Sequence, residues 1–177
     1  MFDWQFILFV LYIYSPAMVA NTVPVFVSKY NVLKSLNKPM DFGVSLKGTR
    51  LFGDNKTVRG FVAGVIVAGI FGVLLSFFIH TKPFESFLDA LVYSMAIGFG
   101  ALAGDSVKSF FKRRVNIESG KMWIPFDQID FVLGATLVAM FFVEISFSMV
   151  VFAIIFIGTL SFVVSTIGFA LHIKKNL

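Results

Sequence analysis

The sequence predicts an all-α, polytopic integral membrane protein, a single membrane domain over residues 1–177 with five transmembrane helices. Three observations carry that prediction. The 177 residues are 58% hydrophobic and only 14% charged, with a mean hydropathy of +0.88, far too apolar for a soluble domain of this length. Long uncharged runs recur along the chain and hold most of its 24 Phe. Lys and Arg gather in alternate connections between those runs, which sets the N-terminus outside and the C-terminus cytoplasmic.

A hydrocarbon core of about 30 Å takes roughly 20 apolar residues as helix. The predicted spans are about 5–27, 60–79, 87–104, 127–143 and 147–171, with cytoplasmic loops at about 28–59 and 105–126. The first span contains Pro16, Asn21 and Pro24. The chain start lacks the basic segment and small-residue cleavage site of a signal peptide, so this span is expected to be retained. Gly60 and Gly64 in the second span, and Gly100 and Gly104 in the third, have the Gly-x-x-x-Gly spacing of close helix packing. The fourth span is short, and it reaches full length only if Asp127 and Asp130 lie among the headgroups.

Lys29, Lys34, Lys38, Lys47, Arg50, Lys56 and Arg59 fill the first loop. Lys108, Lys112, Arg113, Arg114 and Lys121 fill the second, and Lys174 and Lys175 the tail. Only Lys82 falls on the opposite side. His80 and His172 end apolar runs, and Trp4 and Trp123 suit the two interfaces. Glu144 sits in an outer turn and Asp89 at an outer helix start. There is no cysteine, hence no disulfide and no thiolate metal site.

Ionisable groups at the mouth of a hydrocarbon core are costly and are functional candidates by default. Asp105, Lys108, Ser109 and Lys112 stand at i, i+3, i+4 and i+7, one stripe of a helix continuing beyond the membrane. Asp127 and Asp130, at i and i+3, share a face behind Pro125, which suits a helix start. If the two helices are neighbours, three carboxylates converge. Mg²⁺ takes one or two carboxylates and completes its shell with phosphate oxygens and water, and cations nearby suit phosphates. The alternative is a set of ion pairs with Arg113, Arg114 or Lys121. In the first loop, Gly53-Asp54-Asn55-Lys56-Thr57-Val58-Arg59-Gly60 leads a Gly-rich basic stretch into a helix N-terminus. It is not a P-loop, because Asp54-Asn55 stands between Gly53 and Lys56 where a P-loop has Gly-Lys-Ser/Thr. A helix start of this composition is a phosphate site, or else ordinary inside-positive charge against anionic headgroups.

The segment from Gly104-Asp105-Ser106 to Lys112-Arg113, followed by Pro125-Phe126-Asp127-Gln128-Ile129-Asp130, resembles the signature of membrane CTP:phosphatidate cytidylyltransferases. The short chain and the Asp-Gln-x-Asp wording are similar to the archaeal branch of that family, the CDP-archaeol synthases, whereas the bacterial pattern has Asp-Arg-x-Asp. The resemblance covers nearly the whole chain. It implies transfer of CMP from CTP to an isoprenoid-ether glycerol phosphate, 2,3-bis-O-geranylgeranyl-glycerol 1-phosphate, with release of pyrophosphate at the cytoplasmic face of the cell membrane. It implies Mg²⁺ on Asp105, Asp127 and Asp130. It also implies nucleotide phosphates on Asn55, Lys56, Thr57 and Arg59, with Lys108, Ser109, Lys112, Arg113 and Lys121 as further partners, and Gln128 orienting a substrate. Besides CTP and the lipid phosphate the partners are membrane lipids, and no nucleic acid is expected. The rival expectations are a CTP-dependent polyprenol kinase and a small transporter or scaffold.

Overall fold

The computed structural model describes residues 4–118, 121 and 123–171. Lys174, Lys175 and His172 of the basic tail lie outside the described residues. Among the described residues, five α-helices follow in order: α1 (Trp4–Lys29), α2 (Val58–Ser76), α3 (Phe87–Arg114), α4 (Phe126–Ala139) and α5 (Phe147–Ala170). A 3₁₀ turn at Lys34–Leu36 and a small hairpin of β1 (Ser45–Leu46) and β2 (Thr49–Arg50) lie between α1 and α2. All but α4 are long and apolar enough to cross a membrane, so the chain is an integral membrane protein. Helix α3 runs on to Arg114, ten residues past 104, as the stripe beyond the span leads one to expect, whereas α4 closes earlier than expected, at Ala139, with a turn at Met140–Phe142.

Lipid offers no hydrogen bonds, so irregular or polar groups inside the bundle need partners from the protein. Pro16 has no N–H for the Tyr12 carbonyl, and the Ser15 hydroxyl donates to that carbonyl at 3.0 Å instead. Tyr93 donates to the Ile13 carbonyl at 2.9 Å, and the Tyr14 and Thr136 hydroxyls meet at 2.7 Å. Tyr14, Tyr93, Ile97, Phe131 and Val132 are buried in one core that joins α1, α3, α4 and α5. Helix starts are capped by side-chain oxygens: Thr57 for α2, Ser86 for α3 and Ser146 for α5.

Small residues set the helix spacing. Gly60 lies against Pro24, and Gly64 against Ala20, along the α1–α2 contact. Between α3 and α4 the backbones themselves touch. A methyl group on Gly100 would fall 2.6 Å from the Gly134 carbonyl oxygen, and one on Gly104 would fall 3.1 Å from the Gly134 Cα and strike the Asp130 carbonyl. The first turn of α4 is thereby pressed onto the segment of α3 that follows Gly104.

Candidate functional site

Asp105 begins where the glycine contact between α3 and α4 ends. With the backbones this close, the stripe of Asp105, Lys108, Ser109 and Lys112 faces Asp127 and Asp130 directly. The centre of the cluster is Lys108. Its ammonium lies 3.1 Å from Asp105 Oδ1, 2.6 Å from Asp127 Oδ1 and 2.8 Å from Asp130 Oδ2. Lys112 adds a second cation on Asp127, 3.0 Å from Oδ2. Lys56 reaches across from the first loop to Asp105 Oδ2. The Asp130 and Lys112 side chains are only 5% and 7% exposed, and the other four groups are part-buried, Lys56 the most open at 23%.

Backbone donors fix two of the carboxylates further. The Phe131 N–H donates to Asp130 Oδ1 at 2.7 Å, and the Trp123 N–H donates to Asp127 Oδ2. Because Pro125 offers α4 no side-chain cap, Asp127 serves its first turn as a negative charge at a helix N-terminus. Asp130 Oδ2, although beside Lys108, has no aligned hydrogen-bond donor, and the buried Gln128 Oε1 has none either. Ser109 spends its hydroxyl on the Asp105 carbonyl at 2.9 Å. Arg113 flanks the cluster with a buried Nε lacking a partner.

The first loop is held over this cluster by a residue that the spacing argument passes over. Asp41 is buried and collects donors from four residues of the loop, between Gly43 and Gly53. Arg50 approaches with Nε at 3.2 Å and Nη2 at 2.5 Å, and the N–H groups of Gly43, Phe52 and Gly53 lie at 3.0–3.1 Å. Burial alone would raise its carboxyl, but these donors outweigh burial and hold it well below the usual carboxylate range. The signal in the sequence is an acid two residues before a glycine in a basic loop, the pattern of an Asx turn. Two backbone bonds close the neck of the loop: Met40 N–H to the Lys56 carbonyl at 2.8 Å and Val58 N–H to the Lys38 carbonyl at 2.9 Å. Positive φ at Lys47 and Gly48 makes the tight turn of the hairpin. Lys56 therefore sits at a fixed neck and not at a floppy tip.

The remaining expected residues fall elsewhere. Arg59 is buried and turns to Asn31 Oδ1 at 3.1 Å and the Val32 carbonyl at 3.4 Å, so it ties the loop to the end of α1 and does not join the cluster. Thr57 accepts from the Gly60 N–H at 3.3 Å as the cap of α2. Asn55 is exposed beside the neck. Lys121 pairs with Glu118 at 2.9 Å on the exposed second loop, where that contact lowers the Glu118 carboxyl. Arg114 stacks on Phe110 at 4.4 Å and donates to the Arg50 carbonyl at 3.2 Å, which pins the hairpin to α3. The ion pairs weighed as an alternative for Asp127 and Asp130, with Arg113, Arg114 or Lys121, do not form among the described residues; Lys108 and Lys112 of α3 pair with these aspartates instead.

Among the described residues, no group of three or more Asp, Glu, His or Cys is arranged as a ready metal cage; the aspartates are drawn together by lysine. The donor set still fits a hard cation. It consists of carboxylates on two rigid helices, with one buried oxygen lacking an aligned donor.

A family described as CarS-like, CDP-archaeol synthase, matches residues 3–177. The chain is 38% identical to the CDP-archaeol synthase of Thermofilum pendens over 141 residues, 79% of this chain and 65% of that protein. It is 39% identical to that of Aeropyrum pernix over 77% of this chain and 73% of the relative. For the Pyrobaculum arsenaticum protein, identity is 33% over 91% of this chain and 92% of the relative. A solved structure described as an intramembrane enzyme for archaeal membrane lipids biosynthesis superposes with a TM-score of 0.73 at 34% identity, covering 88% of this chain and 92% of that one.

Proposed function

The chain belongs to the CDP-archaeol synthase family, and on that premise we propose that it transfers CMP from CTP to an isoprenoid-ether glycerol phosphate. The observation that carries this reading is the convergence of Asp105, Asp127 and Asp130 with Lys56, Lys108 and Lys112 at one end of the bundle. Carboxylates for a cation and ammonium groups for phosphates are what nucleotidyl transfer needs.

The lipid phosphate is already an anion and needs no strong base. One of its oxygens attacks the α-phosphorus of CTP. A new P–O–P bond forms, the bond between the α-phosphorus and its bridging oxygen to the β-phosphate breaks, and pyrophosphate leaves with the electron pair. The barrier is the approach of two anions and the charge on the leaving group. Mg²⁺ held by Asp105, Asp127 and Asp130 would supply charge neutralisation there. Lys56, Lys112 and Arg113 bind phosphate oxygens. Gln128, with its free amide oxygen, orients a substrate by hydrogen bonding.

The Lys and Arg distribution supports five spans with this end in the cytoplasm. Helix α4 has 14 residues, about 21 Å at 1.5 Å per residue, short of a core of about 30 Å, so the turns at its two ends complete that span. An apolar groove of about 200 Å³ between α1 and α5, lined by Met18, Phe26, Phe131, Ile157 and Leu160, suits an isoprenoid chain. One of its lining residues, Phe131, follows Asp130 in α4.

Product analysis tests the reading. Purified protein with Mg²⁺, CTP and the ether lipid phosphate is expected to yield CDP-lipid and pyrophosphate. Phosphorylated lipid with CDP would make it a kinase, and no CTP turnover with any polyprenyl-glycerol phosphate would remove the enzymatic reading.

A further inference from the structure

Three carboxylates and three ammonium groups meet in the cluster, so its formal charge is zero. Each aspartate already has a cation at ion-pair distance, and Lys108 touches all three. A buried neutral cluster of this kind has no charge deficit to attract a divalent ion. It also has no free cation to attract a triphosphate among Lys56, Lys108 and Lys112. Both obstacles vanish if the partners are exchanged together, with lysines moving to phosphates and carboxylates moving to metal.

We propose that Lys108 is the resident counter-ion of the aspartates, and that metal and nucleotide bind as a coupled pair because the nucleotide must take the Lys108 ammonium before the carboxylates can take the metal. This rests on the function proposed above and specifies how that site is loaded. Lys108 is suited to the exchange by its length and position. It springs from α3 on the stripe that also bears Asp105 and Lys112, its side chain is 12% exposed, and four methylenes let the ammonium swing without backbone movement. Lys56, on the loop neck, makes the same exchange from the other side of Asp105.

The coupling is reciprocal, so either ligand must strengthen the other by the same factor. Removing the resident ammonium leaves an uncompensated carboxylate, which a divalent ion then finds without help.

The test is Mn²⁺ binding to the detergent-solubilised full chain, followed by the electron paramagnetic resonance signal of free Mn²⁺, with and without CTP and with no lipid acceptor, each CTP titration corrected for the Mn²⁺ that the same CTP binds without protein. In the unaltered chain CTP is expected to tighten Mn²⁺ binding by about ten-fold or more. Lys108→Met is expected to tighten nucleotide-free Mn²⁺ binding by about ten-fold and to shrink the CTP effect, while Lys108→Arg restores weak nucleotide-free binding. Lys56→Met, at the rim of the cluster, repeats the measurement without disturbing its centre and is expected to shift nucleotide-free binding the same way. Equal Mn²⁺ affinity with and without CTP, or no tightening in either Met variant, overturns the exchange. A chain that makes CDP-lipid but shows neither effect overturns the exchange alone. A chain that turns over no CTP, yet binds Mn²⁺ more tightly as Lys108→Met, overturns the functional reading alone.

Discussion

Gly104 of α3 and Gly134 of α4 face each other across a gap that will not admit a methyl group: a Cβ on Gly134 would lie 2.9 Å from the Gly104 Cα. The two acidic segments of the chain, 22 residues apart from Asp105 to Asp127, are neighbours because of this contact. A side chain at either glycine separates the helices at the turn next to the cluster.

Gly134→Val is therefore expected to cost about 1–3 kcal/mol of stability through overpacking. Its activity should fall further than the stability loss explains, because the carboxylates move apart. Thermal unfolding in detergent and CDP-lipid formation measure the two effects. Normal activity at lowered stability would show that the site does not depend on this contact.

Asp130→Asn keeps the shape of the side chain and the Phe131 N–H contact while removing one charge from beside Lys108. Turnover is expected to drop by about two orders of magnitude or more, with the fold intact by circular dichroism. Near-normal turnover would take Asp130 out of the reacting centre.

Lys56→Ala removes the cation that the loop neck delivers to Asp105. The expected result is a KM for CTP raised about ten-fold, on the scale of a lost charge-assisted contact, with the KM for lipid little changed. An effect confined to the lipid KM would reverse the assignment of that lysine.

The first loop should loosen in acid. The Asp41 carboxyl is depressed in the folded chain from its ordinary value of 3.8, so its contribution is fully present above pH 3.8 and is lost as pH falls below it. Amide exchange in residues 38–58 is expected to speed up as pH drops through that window, after correction for intrinsic rates. In Asp41→Asn the same protection is already reduced at neutral pH and no longer varies there. Unchanged protection in the variant would show that the loop does not hang on Asp41.

Much of this arrangement was legible in the sequence. Hydropathy located all five helices, and the i, i+3 and i+7 spacings placed the acidic and basic groups on the right faces, because both are properties of one helix at a time. The Gly-x-x-x-Gly pairs marked contacts that do form. What spacing could not give was pairing across elements. Lys108 and Lys112 were grouped with the aspartates as phosphate partners, but that Lys108 bridges all three depends on the depth of the α3–α4 contact. Arg59 reads as a phosphate ligand until the end of α1 is seen to supply Asn31 and Val32. Asp41 was overlooked because its partners are mostly backbone N–H groups, which have no residue type to recognise. The early close of α4 at Ala139 was hidden for a similar reason: Phe141 and Phe142 continue the apolar run through a turn.

The first loop grips α3 at two points nine residues apart, Lys56 on Asp105 and the Arg50 carbonyl on Arg114. At about 100° per residue these points lie about 180° apart around the helix and about 13 Å apart along it. A rod held on opposite sides can tilt but cannot roll. While both contacts hold, they resist rolling of α3, so the azimuth of its acidic stripe is set by the loop as well as by the bundle; once Lys56 turns to phosphate, the Arg114 contact alone keeps the loop on the helix.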